Sequence, residues 1–146
     1  MNKGISKLVG QMPGARLVIT GHSLGAALAV LLTLEVQHTL GASFPVELWA
    51  YGLPRVGNKA FADYLFSSTA ILYRVTNKKD IIPHTPPQWF GFRHPPLEMW
   101  VQPDNVVKQC DGSGEDPTCS DGICKVFCSI SDHLSYFGLP MGIHSC

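Results

Sequence analysis

"RLVITGHSLGAALAVLLTL", residues 16–34, decides how this chain folds. Its opening, Leu17–Thr20, is apolar and partly β-branched, the composition of a short buried strand. From Leu24 onward alanine and leucine dominate, as they do in helices. Between the two lies Gly21-His22-Ser23-Leu24-Gly25, a G-x-S-x-G pentapeptide at a strand-to-helix turn. So sharp a turn forces strained dihedrals on the serine and demands small neighbours. The Ser23 hydroxyl is then held clear of the sheet at the positive end of a helix, with the Leu24 N–H aimed at a developing oxyanion. The same pentapeptide also arises by chance around an ordinary turn serine. The strand before it and the helix after it favour a nucleophile.

Outward from the elbow, Ile5, Leu8, Val9 and Met12 recur at helical spacing and predict a helix over 3–12, ended by the Pro and Gly of "MPGAR". The helix after Ser23 runs to about Leu40 with apolar residues nearly all round, a pattern for burial on most of its surface, and Gly41 fits its C-cap. "VELWAYG" reads as a second strand and "PRVGN" as a turn. Asn58 can cap "KAFADYLFSS", whose Phe61, Tyr64 and Leu65 mark one helical face. "AILYRVT" is a third strand, so strand and helix alternate, which points to a parallel α/β sheet with right-handed crossovers. A proline-rich loop follows, then "LEMWVQ" and "NVVKQC" as a hairpin or edge pair, with Asp104 at the start of a strand. After a cysteine-rich loop, "ISDHLSYFG" predicts a short final helix.

The 146 residues fit one domain, and 45% hydrophobic against 15% charged residues is globular composition. Eleven basic residues balance eleven acidic ones, so charge gives no reason to expect a nucleic-acid partner. The longest apolar run, about Ala26–Leu34, is too short to span a bilayer. Cys110, Cys119, Cys124 and Cys128 crowd into one segment rich in Asp, Gly and Ser, the pattern of a disulfide-stapled loop from an oxidising compartment. Their spacing lacks the paired C-x-x-C geometry of common zinc sites, leaving a zinc cluster with His133 as the rival reading. Four cysteines can pair in three ways, and Cys146 is left over.

A serine needs a base, and the base an orienting acid. In this strand order both follow the serine, the acid just past the end of a later strand. Asp80 sits there, four residues after "AILYRVT". Asp63 falls mid-helix, and Asp111, Asp116 and Asp121 lie in or beside the cysteine loop. Asp132 adjoins His133 in sequence, which disfavours a side-chain bond between them. Among the later histidines, His38 lies near the far end of its helix, His84 and His94 in the proline-rich loop, and His144 near the terminus. Position favours His133 but leaves His84 and His94 open.

Five stretches, "VITGHSLGAALA", "WAYGLPRVGNKAFADYL", "LYRVTNKKDIIPHTPP", "FRHPPLEMW" and "SDHLSYFG", together resemble the secreted fungal class 3 lipases, a group of α/β-hydrolases. The resemblance implies an α/β-hydrolase fold, a mostly parallel central sheet with flanking helices. It implies hydrolysis of lipid esters, triacylglycerol above all, by Ser23, Asp80 and His133, with no metal or cofactor. A feruloyl or short-chain esterase on the same scaffold is the runner-up, and an inactive fragment the reading from another class. Leu24 would supply one oxyanion N–H; His22, Ile81, Ile82, Pro83 and Leu134 would bind substrate at an oil–water interface. Gly52, Pro54 and Gly57 would shape the loop behind the nucleophile. The family carries a longer region before the elbow than the 22 residues present here. Residues 1–146 are therefore expected to be the C-terminal part of one such domain. Cys146 would pair with a cysteine in the missing region, and 110–128 would be an inserted loop away from the catalytic groove. Family and cysteines together imply secretion.

Overall fold

The computed structural model describes residues 2–41, 44–69, 71–124 and 127–142. Helix α1 (Asn2–Gln11) precedes β1 (Leu17–His22), α2 (Leu24–Leu40) and β2 (Val46–Tyr51). The short β3 (Gly57–Asn58) leads into α3 (Lys59–Ser68) and β4 (Ile71–Asn77). Two 3-10 turns, Ile82–His84 and Gln88–Phe90, punctuate the proline-rich loop before β5 (Phe92–Arg93). Then come β6 (Glu98–Val101), β7 (Val107–Gln109), the short helices α4 (Ser120–Ile123) and α5 (Ile130–His133), and a hairpin of β8 (Ser135–Tyr136) and β9 (Leu139–Pro140).

One sheet runs β1-β2-β4-β6-β7, parallel throughout except for the last pair. Parallel neighbours need crossovers, and α2 and α3 supply the first two. Helix α2 lies against β1 and β2 and also meets α1 and α3. Along β2, Leu48 and Ala50 join Ile19, Val30 and Leu72 in one core, while Trp49 and Tyr51 pack on the other side with Val75, Val101 and Tyr136. The two-residue period of a strand divides the side chains this way, and burial on both faces suits a parallel strand.

The Asn58 cap is present: its side chain accepts the Phe61 N–H at 3.0 Å. Four details differ from the sequence reading. Tyr64 is exposed, and α3 buries Ala62 and Leu65 instead. Helix α2 is not covered all round: Leu24, Leu28 and Leu31 are exposed, because among the described residues the sheet backs only one of its sides. The expected hairpin forms, but β6 also pairs with β4, so it is an interior strand, and Asp104 lies in the turn before β7. The final helix stops at His133, since the chain must extend into β8 for Tyr136 to reach the core.

The loop cysteines pair Cys110–Cys119 and Cys124–Cys128. A zinc site would need those sulfurs as thiolates, and they are bonded to each other. The first staple packs in a small core with Trp100 and Ile123. Cys146, and the pairing expected of it, lies outside the described residues, as does His144. Charges anchor the loop from below. Buried Arg55 donates to both oxygens of Glu115 at 2.8 and 2.7 Å, and buried Arg74 pairs with Glu98 at 3.2 Å and donates to the Gly114 carbonyl at 2.8 Å. The Ser120 hydroxyl closes the network on Glu98.

Candidate active site

Ser23 sits between the last residue of β1 and the first of α2 with φ 58° and ψ −127°, a left-handed conformation that costs a non-glycine residue energy. Its N–H is held by the Tyr51 carbonyl at 3.0 Å, and its own carbonyl opens the helix by accepting from Ala26 and Ala27. The two motif glycines turn out unequal. A Cβ on Gly21 would lie 2.3 Å from the Gly25 carbonyl oxygen, whereas one on Gly25 would meet open space. Gly21 therefore carries the steric demand of the elbow. The Leu24 N–H belongs to the first turn of α2, where a helix offers no internal acceptor.

Strand β4 ends at Asn77, and a tight turn through Lys78 (φ 46°) delivers Asp80, which is fully buried. Asp80 Oδ1 accepts the Ile82 N–H at 2.8 Å. Its Oδ2 lies 2.9 Å from His133 Nδ1 and 2.5 Å from the Tyr136 hydroxyl. On the far side of the ring, His133 Nε2 lies 2.8 Å from Ser23 Oγ. One continuous line of hydrogen bonds thus joins Ser23, His133 and Asp80. Burial, then the charge and hydrogen bond of Asp80, push the Tyr136 phenol far above its usual pKa, so Tyr136 is a fixed donor. Asp132 does not compete for the ring; its Oδ2 accepts the Lys79 N–H at 3.2 Å.

Gly52 follows β2 at φ +56°, and a Cβ there would stand 2.9 Å from Asp80 Oδ2, 3.0 Å from Tyr136 Oη and 3.1 Å from His133 Cε1. It is a glycine because three site side chains converge on its α-carbon. Asn77 Nδ2 donates to the carbonyls of Asp132 and Ser135 at 3.0 and 2.7 Å, clamping the turn after His133. Neither role for Gly52 nor Tyr136 is readable as such in sequence, although Tyr136 stands only three residues beyond His133.

Of the residues expected to bind substrate, Leu134 is exposed and Ile81 and Ile82 are half-buried beside Asp80. Ile130, exposed on the turn that carries His133, adds an apolar neighbour that the sequence reading omitted. Two others make contacts of their own. Pro83 is buried and packs beside Arg55, Arg74 and His94; its carbonyl accepts from His94 Nε2 at 2.6 Å. His22, half-buried, stacks on the His133 ring at 4.5 Å and its Nε2 donates to the His133 carbonyl at 2.9 Å. Burial and the neighbouring His133 hold its pKa below the usual value. His94 is likewise pushed well below by burial and then by Arg74 and Arg55, and His84 lies 3.7 Å from Asp121. Neither joins Ser23 and Asp80. The cysteine loop was expected to lie away from this corner, but Cys124 Sγ packs 3.9 Å from the carbonyl oxygens of both Lys79 and Asp80.

A mostly parallel sheet with a strained serine between strand and helix defines an α/β-hydrolase. The family model for lipase (class 3) matches residues 1–90. A lipase of Rhizomucor miehei is 41% identical over 137 residues, covering 91% of this chain and 38% of that protein. A secreted mono- and diacylglycerol lipase of Fusarium solani is 39% identical, covering 86% of this chain and 38% of its own length. A solved triacylglycerol lipase, whose catalytic centre is described as a serine protease triad, superposes with a TM-score of 0.89 at 37% identity, over 97% of this chain and 55% of that one. The chain belongs to the class 3 lipase family. It spans little more than a third of the length of the curated relatives it matches.

Proposed function

We propose that the protein is a secreted hydrolase of lipid carboxylic esters in which Ser23 is the nucleophile, His133 the base and Asp80 the orienting acid. The observation that carries this reading is the unbroken hydrogen-bond line from Ser23 Oγ through both ring nitrogens of His133 to Asp80 Oδ2. His133 Nδ1–H donates to Asp80, which leaves Nε2 as the acceptor for the Ser23 proton. Ser23 Oγ attacks the ester carbonyl as His133 takes that proton, and the Leu24 N–H receives the developing oxyanion. His133 then protonates the departing alkoxide. In the second half it activates a water that releases the fatty acid from Ser23.

Acylglycerols are the favoured substrate class, with triacylglycerol first. The apolar Ile130 and Leu134 flanking the base suit an acyl chain, and the relatives include a mono- and diacylglycerol lipase and a triacylglycerol lipase. A feruloyl or short-chain ester is the runner-up. Two disulfides fit an oxidising compartment and hence secretion. Among the described residues no helix is long and apolar enough to cross a membrane.

The test is the mass of the intact protein after exposure to an alkyl fluorophosphonate, beside release of fatty acid from emulsified triacylglycerol, diacylglycerol and a feruloyl ester. One adduct that vanishes in Ser23→Ala is expected, with hydrolysis down on the order of 10⁶-fold, the scale set by removing such a serine. An adduct that persists in Ser23→Ala overturns the assignment.

A further inference from the structure

The two disulfides differ in what they touch. Cys110–Cys119 packs with Trp100 and Ile123, away from the serine. Cys124–Cys128 stands directly against the turn that presents Asp80. Cys124 Sγ lies 3.9 Å from the Lys79 and Asp80 carbonyls, and the residue after Cys128 is hydrogen-bonded to the same turn from both sides. The Ser129 N–H donates to the Lys79 carbonyl at 2.7 Å, and the Ser129 carbonyl accepts the Ile81 N–H at 3.3 Å. Asp80 and Ser129 therefore form a one-residue parallel bridge. Ser129 in turn starts α5: its hydroxyl accepts the Asp132 N–H at 3.0 Å, and His133 ends that single turn of helix.

We propose that the Cys124–Cys128 disulfide is a positioning staple for the acid–base pair, fixing Ser129 against the Asp80 turn so that Asp80 Oδ2 and His133 Nδ1 meet at bonding distance. This rests on the triad reading above and adds residues to it. A four-residue helix has almost no stability of its own, so its place is set by what precedes it. Here that is a covalent ring whose sulfur rests on the carbonyl of the acid itself. Five residues beyond the ring stands the proposed base, His133. With the ring open, Ser129 keeps two backbone bonds to the turn but loses the tether that limits where Cys128 can lie, and the Asp80–His133 contact loosens. A poorly oriented imidazole lowers the rate of proton transfer without changing how an acyl chain binds.

The experiment compares Cys124→Ser/Cys128→Ser with Cys110→Ser/Cys119→Ser in the intact protein. Active sites are counted by fluorophosphonate labelling, and kcat and KM are measured per labelled site. Opening the second staple is expected to lower kcat about tenfold at unchanged KM. Opening the first is expected to move thermal stability alone. Equal effects of the two variants, or a Cys124→Ser/Cys128→Ser variant with a normal kcat per labelled site, overturn the proposal. Should that variant not fold, the unmodified protein is titrated with dithiothreitol, which reduces a disulfide to two thiols as it closes its own ring. Alkylation mapping then shows which disulfide has opened. Loss of kcat must follow Cys124–Cys128; loss that follows Cys110–Cys119 also overturns it. Absence of labelling in the unmodified protein would sink the serine-hydrolase reading itself, a different result from any of these.

Discussion

The proposed nucleophile and its proposed acid–base partners are built in opposite ways. The elbow is contiguous: Gly21, Ser23 and Leu24 lie within four residues, and their geometry follows from one turn between β1 and α2. The corner that holds Asp80 and His133 is assembled from the end of β2, the end of β4, the second disulfide ring and the short segment from Ser129 to Tyr136. Backbone sterics maintain the first. Hydrogen bonds between distant residues and a disulfide maintain the second. The elbow should therefore fail through the fold, and the corner through the chemistry.

The largest effect expected is at Gly21. A methyl group 2.3 Å from the Gly25 carbonyl cannot be housed without moving backbone, so Gly21→Ala should cost about 3 kcal/mol in urea unfolding and take activity down with it. A stable, active Gly21→Ala would break the contrast at its contiguous end.

Tyr136→Phe should do the reverse. It removes a hydroxyl that donates to Asp80 Oδ2 and accepts the Asn77 N–H at 3.3 Å, worth about 2 kcal/mol for a bond to a charged group. Felt mainly in orienting His133, it should lower kcat about tenfold with KM unchanged. Unfolding that weakens while kcat holds would make Tyr136 a core residue only.

The smallest effect concerns His94, behind the site. Its Nε2–H donates to the Pro83 carbonyl, its Nδ1 is buried without a partner among the described residues, and burial and two guanidinium groups disfavour its charged form. The unfolded chain therefore binds a proton near pH 6.5 that the folded one refuses. Stability is fully present above that pH and falls as pH drops below it. Urea midpoints at pH 7.5 and 5.5 should show the decline, and His94→Asn should flatten it, leaving the weaker contribution of His22 in the same direction.

Ser23 and the strands around it were legible because each signal lies in neighbouring residues, where β-branched and helical runs meet at a glycine-flanked serine. Asp80 could be named from its place past a strand end. Position favoured His133, but the resemblance was needed to choose it over His84 and His94, which the structure places beside Arg55 and Arg74. Pro83 and His22 stand beside Asp80 and Ser23 in sequence, and only the structure shows that the Pro83 carbonyl accepts from His94 and that His22 stacks on His133. A one-dimensional pattern reports which residues are close, not which way a side chain turns. The same limit hid Gly52, which reads as a turn glycine until three side chains are seen converging on it.

Sequence alone determined the α/β alternation, the strained serine and the presence of a stapled loop, because each depends on local dihedral preference, periodicity or composition. Tertiary structure alone decided which cysteines pair, why Tyr136 is drawn inward and that the second staple rests on the Asp80 turn, and it set the distances at which Ser23, His133 and Asp80 meet. Those outcomes depend on contacts between residues up to 110 positions apart, as Ser23 and His133 are. Such contacts exist only once the sheet has brought the strand ends together.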